Sequence, residues 1–309
     1  MRENMNFNLR YNKVSISTIT ILLLSFFVLS SVRISYSSAN SNSNNNEVFE
    51  PLKVKLLEEG VDSTFIEKLI NDTNVKFNEK FVKINVVGTG KAPDYSSHYN
   101  SRAVRKSKQF LSENLEQLEA AEEKYGVPKE VITSILYVET RHGGYLGYNN
   151  IVSVFLSTAL ADQEEYYELN SKVLKETYSD DSEELEKYLN KLKKRSEFKS
   201  NWALEQLVAL EELDKNSPIP ITEIEGSWAG AFGMSQFLPS SYNSWAVDGN
   251  DDGVINLFDK DDAIFSVANY LKENGWGKTE KKQRKAVWHY NHSTAYVNAV
   301  LKLSELINS

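Results

Sequence analysis

The chain contains no cysteine. That absence excludes disulfides, thiolate nucleophiles, cysteine-ligated zinc and a lipoprotein anchor, which needs an acylated cysteine. No repeat of fixed period and no sustained heptad pattern occurs, which argues against solenoids and coiled coils. Positive charge is in deficit: 35 Lys and Arg stand against 43 Asp and Glu, for a net charge of −8. Leaving out residues 1–39 removes four basic and one acidic side chain and takes the balance to −11. An acidic body argues against binding a phosphate backbone, so nucleic acid is not an expected partner. It leaves open an uncharged or mixed-charge polymer such as a glycan.

What is present divides into three parts. Arg2, Arg10 and Lys13 precede an apolar run from Val14 to Val32, and Ser37 and Ala39 follow with signal-peptidase spacing. Residues 1–39 therefore read as a signal peptide cleaved after Ala39, or as an uncleaved anchor, since the run is long enough to span a bilayer. Either outcome places the body outside the cytoplasm. The Asn/Ser-rich stretch at 40–50 reads as a linker. The remainder, 51–309, is long enough to bury a sizeable core, with ordinary proportions of hydrophobic (41%) and charged (25%) residues.

Apolar spacing predicts a mainly helical body. A short helical pair is expected over 51–75, a strand or extended connector over Phe81–Val87, and a loop over Gly88–Asn100. Leu111, Leu115 and Leu118 mark an amphipathic helix ending near Gly126. Ile151–Leu160 reads as a buried helix. The charged region 161–200 breaks at Ser179–Ser182, with one helix marked by Leu185, Leu189 and Leu192 and another by Trp202, Leu207 and Leu210. Its basic run Lys191–Arg195 reads as a solvated face.

The stretch Gly126–Gly147, GVPKEVITSILYVETRHGGYLG, carries the first chemical signal. Pro128 suits the first turn of a helix, and Ile132, Ile135 and Leu136 mark its buried stripe. Glu139 follows Ile135 by four residues and Leu136 by three, so a carboxylate falls on the apolar face one turn before Gly143 and Gly144. Burial raises an acid's pKa and suits it to general acid catalysis. A paired or solvated glutamate at a helix end is the alternative.

The second signal is residues 226–245, GSWAGAFGMSQFLPSSYNSW, which read as neither helix nor strand. Gly226, Gly230 and Gly233 permit close backbone approach, and Ser227, Ser235 and Gln236 sit among five aromatic side chains. A sugar offers an apolar face and a rim of hydroxyls, which such a surface can meet. A turn packing its own aromatics is the alternative. Asp248–Asp259, DGNDDGVINLFD, then fits a twelve-residue calcium loop, with Asp248, Asn250 and Asp252 at the first three ligand positions and Gly253 at the sharp turn. Val254 would offer its carbonyl, and Asn256 would bind directly or through water. Asp259 stands where glutamate is usual. Hard oxygen ligands favour Ca²⁺, and an ion-free acidic turn is the alternative. A helix begins at Asp262 and runs to just before Gly275. His289 and His292 have no apparent third metal ligand nearby.

The segments VETRHGGYLG, SWAGAFGMSQFLPSSYNSWAVDGNDDGVINLFDKDDAIFSVANYLKENGW and WHYNHSTAYV, in this order, resemble the lytic murein transglycosylase B family over about residues 50–305. The resemblance implies a mainly α, lysozyme-like catalytic domain with an EF-hand-like calcium loop and little β structure. It also implies cleavage of the β-1,4 bond between N-acetylmuramic acid and N-acetylglucosamine in peptidoglycan. The catalytic glutamate falls on Glu139. Substrate-binding positions fall on Ser227, Gln236, Tyr270, Tyr290, Asn291 and Tyr296, and metal positions on Asp248, Asn250, Asp252, Val254, Asn256 and Asp259. The implied location is the periplasm or cell envelope, with glycan strands as partner and residues 14–32 as a candidate tether. His142 departs from the aromatic residue that the family commonly has there. Residues 161–195 look like a charged helical insertion, so the family's basic pair is not assigned to Lys194 and Arg195.

By this resemblance Glu139 alone acts as acid and then base, and the muramoyl 6-hydroxyl closes on the anomeric carbon to leave a 1,6-anhydro end. A muramidase using water at the same bond, and a calcium-dependent glycan-binding protein without catalysis, are the rival readings. The single-glutamate scheme requires an acid that is partly buried.

Overall fold

The computed structural model describes residues 45–88 and 93–309. The export segment at 1–39 and the first part of the linker lie outside the described residues. Among the described residues the protein is mainly helical, with twelve α-helices and one two-stranded antiparallel ladder.

The helix α1 (Asn45–Glu58) begins inside the expected linker. Phe49, Leu52 and Leu56 recur at helical spacing and are all but fully buried, so apolar contact overrides the polar composition just upstream. Asp62 caps α2 (Ser63–Asn71) by accepting from the Thr64 and Phe65 N–H groups. Residues 82–87 form the extended connector and not a strand, although Ile84 and Val86 are buried.

The helix expected to run to Gly126 is two, α3 (Ser101–Glu113) and α4 (Leu115–Tyr125). Asn114 divides them: its side-chain amide donates to Phe110 O at 2.8 Å, competing with the helical ladder. Gly126, with φ +69, ends α4. Pro128 stands one position outside α5 (Lys129–Thr140), as its N-cap.

Asn149–Asn150 (β1) pairs with Glu225–Gly226 (β2). The buried α6 (Ile151–Ala159) and the amphipathic α7 (Glu164–Thr177) follow. The two helices expected across 182–216 are one, α8 (Ser182–Asn216), of 35 residues. No Gly or Pro interrupts it, and Pro218 stands just beyond its end. Pro239 opens α9 (Pro239–Trp245), so the aromatic turn is helical at its far end. The remaining helices are α10 (Lys260–Glu273), α11 (Glu280–Tyr290) and α12 (Thr294–Asn308).

The helix α5 is the hub. The helices α3, α4, α10 and α12 all pack against it, and its Ile132, Ile135 and Leu136 have no exposure. A smaller cluster of Ile84, Val86, Ala161, Leu174 and Leu192 lies under α7 and the first half of α8.

Candidate active site

Glu139 is the one residue near the end of α5 that keeps partial exposure between buried Val138 and Thr140. Burial of its carboxyl raises its pKa to about 7, and the Tyr296 hydroxyl works against that shift. Tyr296 donates to Glu139 Oε1 at 2.6 Å. Among the described residues, no neighbouring carboxylate contributes to the shift. The acid is thus partly buried, as the single-glutamate scheme requires.

Two consecutive side-chain-bearing residues in the left-handed region hold the end of the helix. Arg141 has φ 55 and His142 φ 59, and Gly143 continues at 83. Such conformations cost free energy that surrounding contacts must offset. The Arg141 N–H bonds Tyr137 O and the His142 N–H bonds Leu136 O. The His142 ring stacks on Phe110, 4.1 Å between centroids and 8° from parallel. Its Nε2 donates to Thr133 O at 3.1 Å, an oxygen that can only accept. Burial lowers the His142 pKa to about 4, so the imidazole is neutral and packs as an aromatic ring. The departure from the family pattern keeps the planar ring.

Thr140 ties this helix to the glycine-rich turn. Its Oγ1 accepts from Gly143 N–H and donates to Met234 O at 3.0 Å. The turn is closed by reciprocal backbone bonds between Phe232 and Phe237, and by Ser227 N–H to Ala231 O at 2.7 Å. Ser227 Oγ accepts from Ala231 N–H, which leaves its own hydroxyl hydrogen to donate outward. Gln236, at φ 52, uses Nε2 on Gly233 O and Leu146 O, which fixes the amide and leaves Oε1 to accept.

Tyrosines make the opposite wall. Tyr290 and Tyr296 lie nearly parallel, 6.4 Å between ring centroids, with Tyr270 edge-on to Tyr290 at 4.7 Å. The Tyr290 hydroxyl donates to Ser235 O at 2.5 Å, and that of Tyr270 to His289 O at 2.8 Å. Tyr270 is thereby a buried brace behind Tyr290. Burial, and then the Glu139 charge, raises the pKa of all three well above the ordinary phenol value. Asn291 is 3% exposed, and its Oδ1 is buried without a hydrogen-bond partner.

Two contributors escaped the sequence reading. Tyr95, in the loop before α3, sets its ring edge-on to Tyr296 at 6.0 Å, and burial followed by the Glu139 charge pushes its phenol up to about 12. No periodicity marks a loop residue, so nothing in sequence pointed to it. Lys199 on α8 lies with Nζ 5.7 Å from the Trp228 ring centroid, and its pKa falls to about 8 through burial and then nearby Arg195.

The acidic loop Asp248–Asp259 supports the turn from below. Met234 N–H donates to Leu257 O at 2.7 Å, and a Cβ on Gly233 would lie 2.5 Å from Leu257 Cβ. Within the loop, Asp248 accepts from Gly253 N–H, Asn250 from Asp252, Asp252 from Val254 and Asn256 from Phe258. Asp259 accepts from Asp261 N–H as the cap of α10. Asp262, fully buried, accepts from Gly249 and Asn256 N–H groups and draws the loop shut. Its importance was missed because it reads as an ordinary first-turn acid. Among the described residues, no group of three or more His, Asp or Glu side chains gathers as a metal cluster. The donors of the loop are nonetheless all oxygen, and Asp248 Oδ1 is buried without a hydrogen-bond partner, so the residues present fit a hard cation.

The chain is 37% identical over 174 residues to the membrane-bound lytic murein transglycosylase B of Escherichia coli, spanning 56% of this chain and 38% of that protein's length. The Pseudomonas aeruginosa structure of SltB3 in complex with NAG-anhNAM-pentapeptide shares the fold with a TM-score of 0.64, at 17% identity over 87% of this chain and 80% of the other. The Escherichia coli lytic transglycosylase Slt35 in complex with calcium matches with a TM-score of 0.62, at 21% identity over 87% of this chain and 93% of its own. The profile described as Transglycosylase SLT domain matches residues 44–286, from the first turn of α1 almost to the end of α11. With Glu139 and the glycine-rich turn both inside that span, the chain belongs to the transglycosylase SLT domain family.

Proposed function

We propose that the protein is a peptidoglycan lytic transglycosylase that cleaves the β-1,4 bond between N-acetylmuramic acid and N-acetylglucosamine. The observation that carries this reading is a buried acid, Glu139, with a pKa raised to about 7 to which, among the described residues, no other carboxylate contributes. Most glycosidases set two carboxylates about 5–9.5 Å apart across the scissile bond. One acid must here serve both steps.

Protonated Glu139 donates to the glycosidic oxygen as the bond to the anomeric carbon breaks. The Glu139 carboxylate then takes the proton from the muramoyl 6-hydroxyl, whose oxygen bonds the anomeric carbon. The product is a 1,6-anhydromuramoyl end, and no water is consumed. An intramolecular hydroxyl competes well with water because it is already in position. Tyr296 steadies the carboxylate between the two steps, since a hydrogen bond to the charged form favours it. Ser227, with a hydroxyl hydrogen left to donate, suits the carbonyl of a 2-acetamido group and the unpartnered Asn291 Oδ1 suits its N–H, while Gln236 Oε1 accepts from a sugar hydroxyl. That a neighbouring fold holds NAG-anhNAM-pentapeptide supports an anhydro product.

Asp248, Asn250, Asp252, Val254, Asn256 and Asp259 would hold Ca²⁺, supported by the calcium complex of a neighbouring fold and by the orphaned Asp248 oxygen. The ion's part is to stiffen the loop under the glycine-rich turn. The reading of residues 1–39 as a signal peptide or anchor supports a location in the cell envelope, where peptidoglycan lies.

Mass spectrometry of sacculi digested by the wild type and by Glu139→Gln tests the reading. Anhydro ends from the wild type and no cleavage by the variant are expected. Reducing ends would make the protein a muramidase, and cleavage by Glu139→Gln would remove the acid from its role.

A further inference from the structure

Tyr145 and Tyr148 are among the most exposed large side chains of the protein, at 57% and 68%. Among the described residues, neither ring contacts another ring and neither hydroxyl takes part in a hydrogen bond. Their backbone is firmly held. Tyr145 N–H donates to Thr140 O at 2.9 Å, one residue after the acid. Leu146 O accepts from Gln236 Nε2 at 3.3 Å. Gly147, at φ +93, lies so close to Gly226 that a Cβ would stand 2.0 Å from Gly226 O. Asn149 then pairs with Gly226 in the ladder, beside Ser227. The two rings therefore project from a segment clamped between the helix of Glu139 and the turn of Ser227 and Gln236.

A tyrosine offers a broad apolar face and a polar tip, and it makes contact at small cost in side-chain entropy because few torsions must be fixed. The stretch Gly143–Asn150, GGYLGYNN, carries no charged side chain. That chemistry suits a sugar ring, with its apolar face against the tyrosine and its hydroxyls at the phenol tips, while the Asn150 amide is committed to Thr222 O and Ser153 and Asn149 Oδ1 accepts from Lys80 Nζ at 2.7 Å. We propose that Tyr145 and Tyr148 form a second sugar-binding platform, continuous with the candidate site, which grips the glycan strand outside the bond to be cut. The platform rests on the glycan reading above. It makes affinity grow with strand length, because only a strand that extends past the acid reaches both rings.

The test is made on binding, in the Glu139→Gln background, so that no turnover is needed. Peptide-free peptidoglycan strands of graded length are titrated against the parent, a Tyr145→Ala/Tyr148→Ala double variant and the matching double phenylalanine variant. The alanine pair is expected to weaken long-strand binding by about tenfold, the scale of removing one well-stacked aromatic ring. Disaccharide binding should stay unchanged, and the phenylalanine pair should bind as the parent does. Undiminished long-strand binding by the alanine pair overturns the platform and leaves the glycan reading intact. So does an equal loss for disaccharide, or a failure of phenylalanine to restore affinity. A folded parent that binds strands of no length overturns both.

Discussion

Tyr296 donates to Glu139 Oε1 across 2.6 Å, while burial pushes the same carboxyl in the opposite direction. The pKa of about 7 is the balance of these two. Removing the hydroxyl leaves burial unopposed. Tyr296→Phe should therefore move the alkaline limb of the pH–rate profile upward, by up to about one unit. It should also lower kcat by roughly tenfold, because the carboxylate loses its orienting bond. An unmoved limb would show that Tyr296 only packs.

The same acid writes a signature into stability. Its pKa is about 7 folded against 4.5 for a free glutamate, so the folded state keeps a proton that the unfolded chain releases between those values. Its stabilising contribution is complete below about 4.5 and declines as pH rises to about 7. Glu139→Gln has no such decline. Above pH 7 the variant should be more stable than the wild type by up to about 2–3 kcal/mol, allowing for water at the exposed edge of the carboxyl. Urea unfolding at pH 5 and pH 8 measures the difference, and equal gaps at both would contradict the raised pKa.

Gly147 is the tightest approach between the two halves of the site. A methyl there meets Gly226 O at 2.0 Å and forces a side chain into φ +93. Gly147→Ala should cost about 2–4 kcal/mol and pull Leu146 O away from Gln236. Thermal melting reads the first effect, and weakened strand binding by Glu139→Gln/Gly147→Ala reads the second. A melting point within error of the wild type would refute the close packing.

If the loop at Asp248–Asp259 holds calcium, a chelator should lower the melting temperature and added Ca²⁺ should restore it by mass action. Asp248→Asn removes one charge from the oxygen that lacks a partner and should abolish the response. A wild type indifferent to both additions would mean that the loop carries no ion.

Much of the architecture was legible because it depends on periodicity. The stripe of Ile132, Ile135 and Leu136 located both α5 and the carboxylate on its face. Breaks were harder to see. Asn114 divides α3 from α4 by one side-chain bond to Phe110 O, which no spacing rule detects. The two leucine patterns at 185–192 and 202–210 looked like separate helices because they face different cores, yet nothing between them can break a helix. In the site, the residues of the glycine-rich turn were visible as a composition. The commitments of their atoms were not: that Tyr270 is tied to His289 O, and that Gln236 has only Oε1 left to accept, are facts of packing.

The long helix α8 has a mechanical consequence. At roughly 1.5 Å per residue its 35 residues form a rod about 50 Å long. One end, around Leu192, belongs to the small cluster under α7, and the other, from Trp202 to Leu213, to the main core. The small cluster holds the Ser182 end of this rod with far fewer buried side chains than the main core sets against its other end. Amide exchange along α8 should then slow progressively from Ser182 towards Leu213, a gradient where a hinge would give a step.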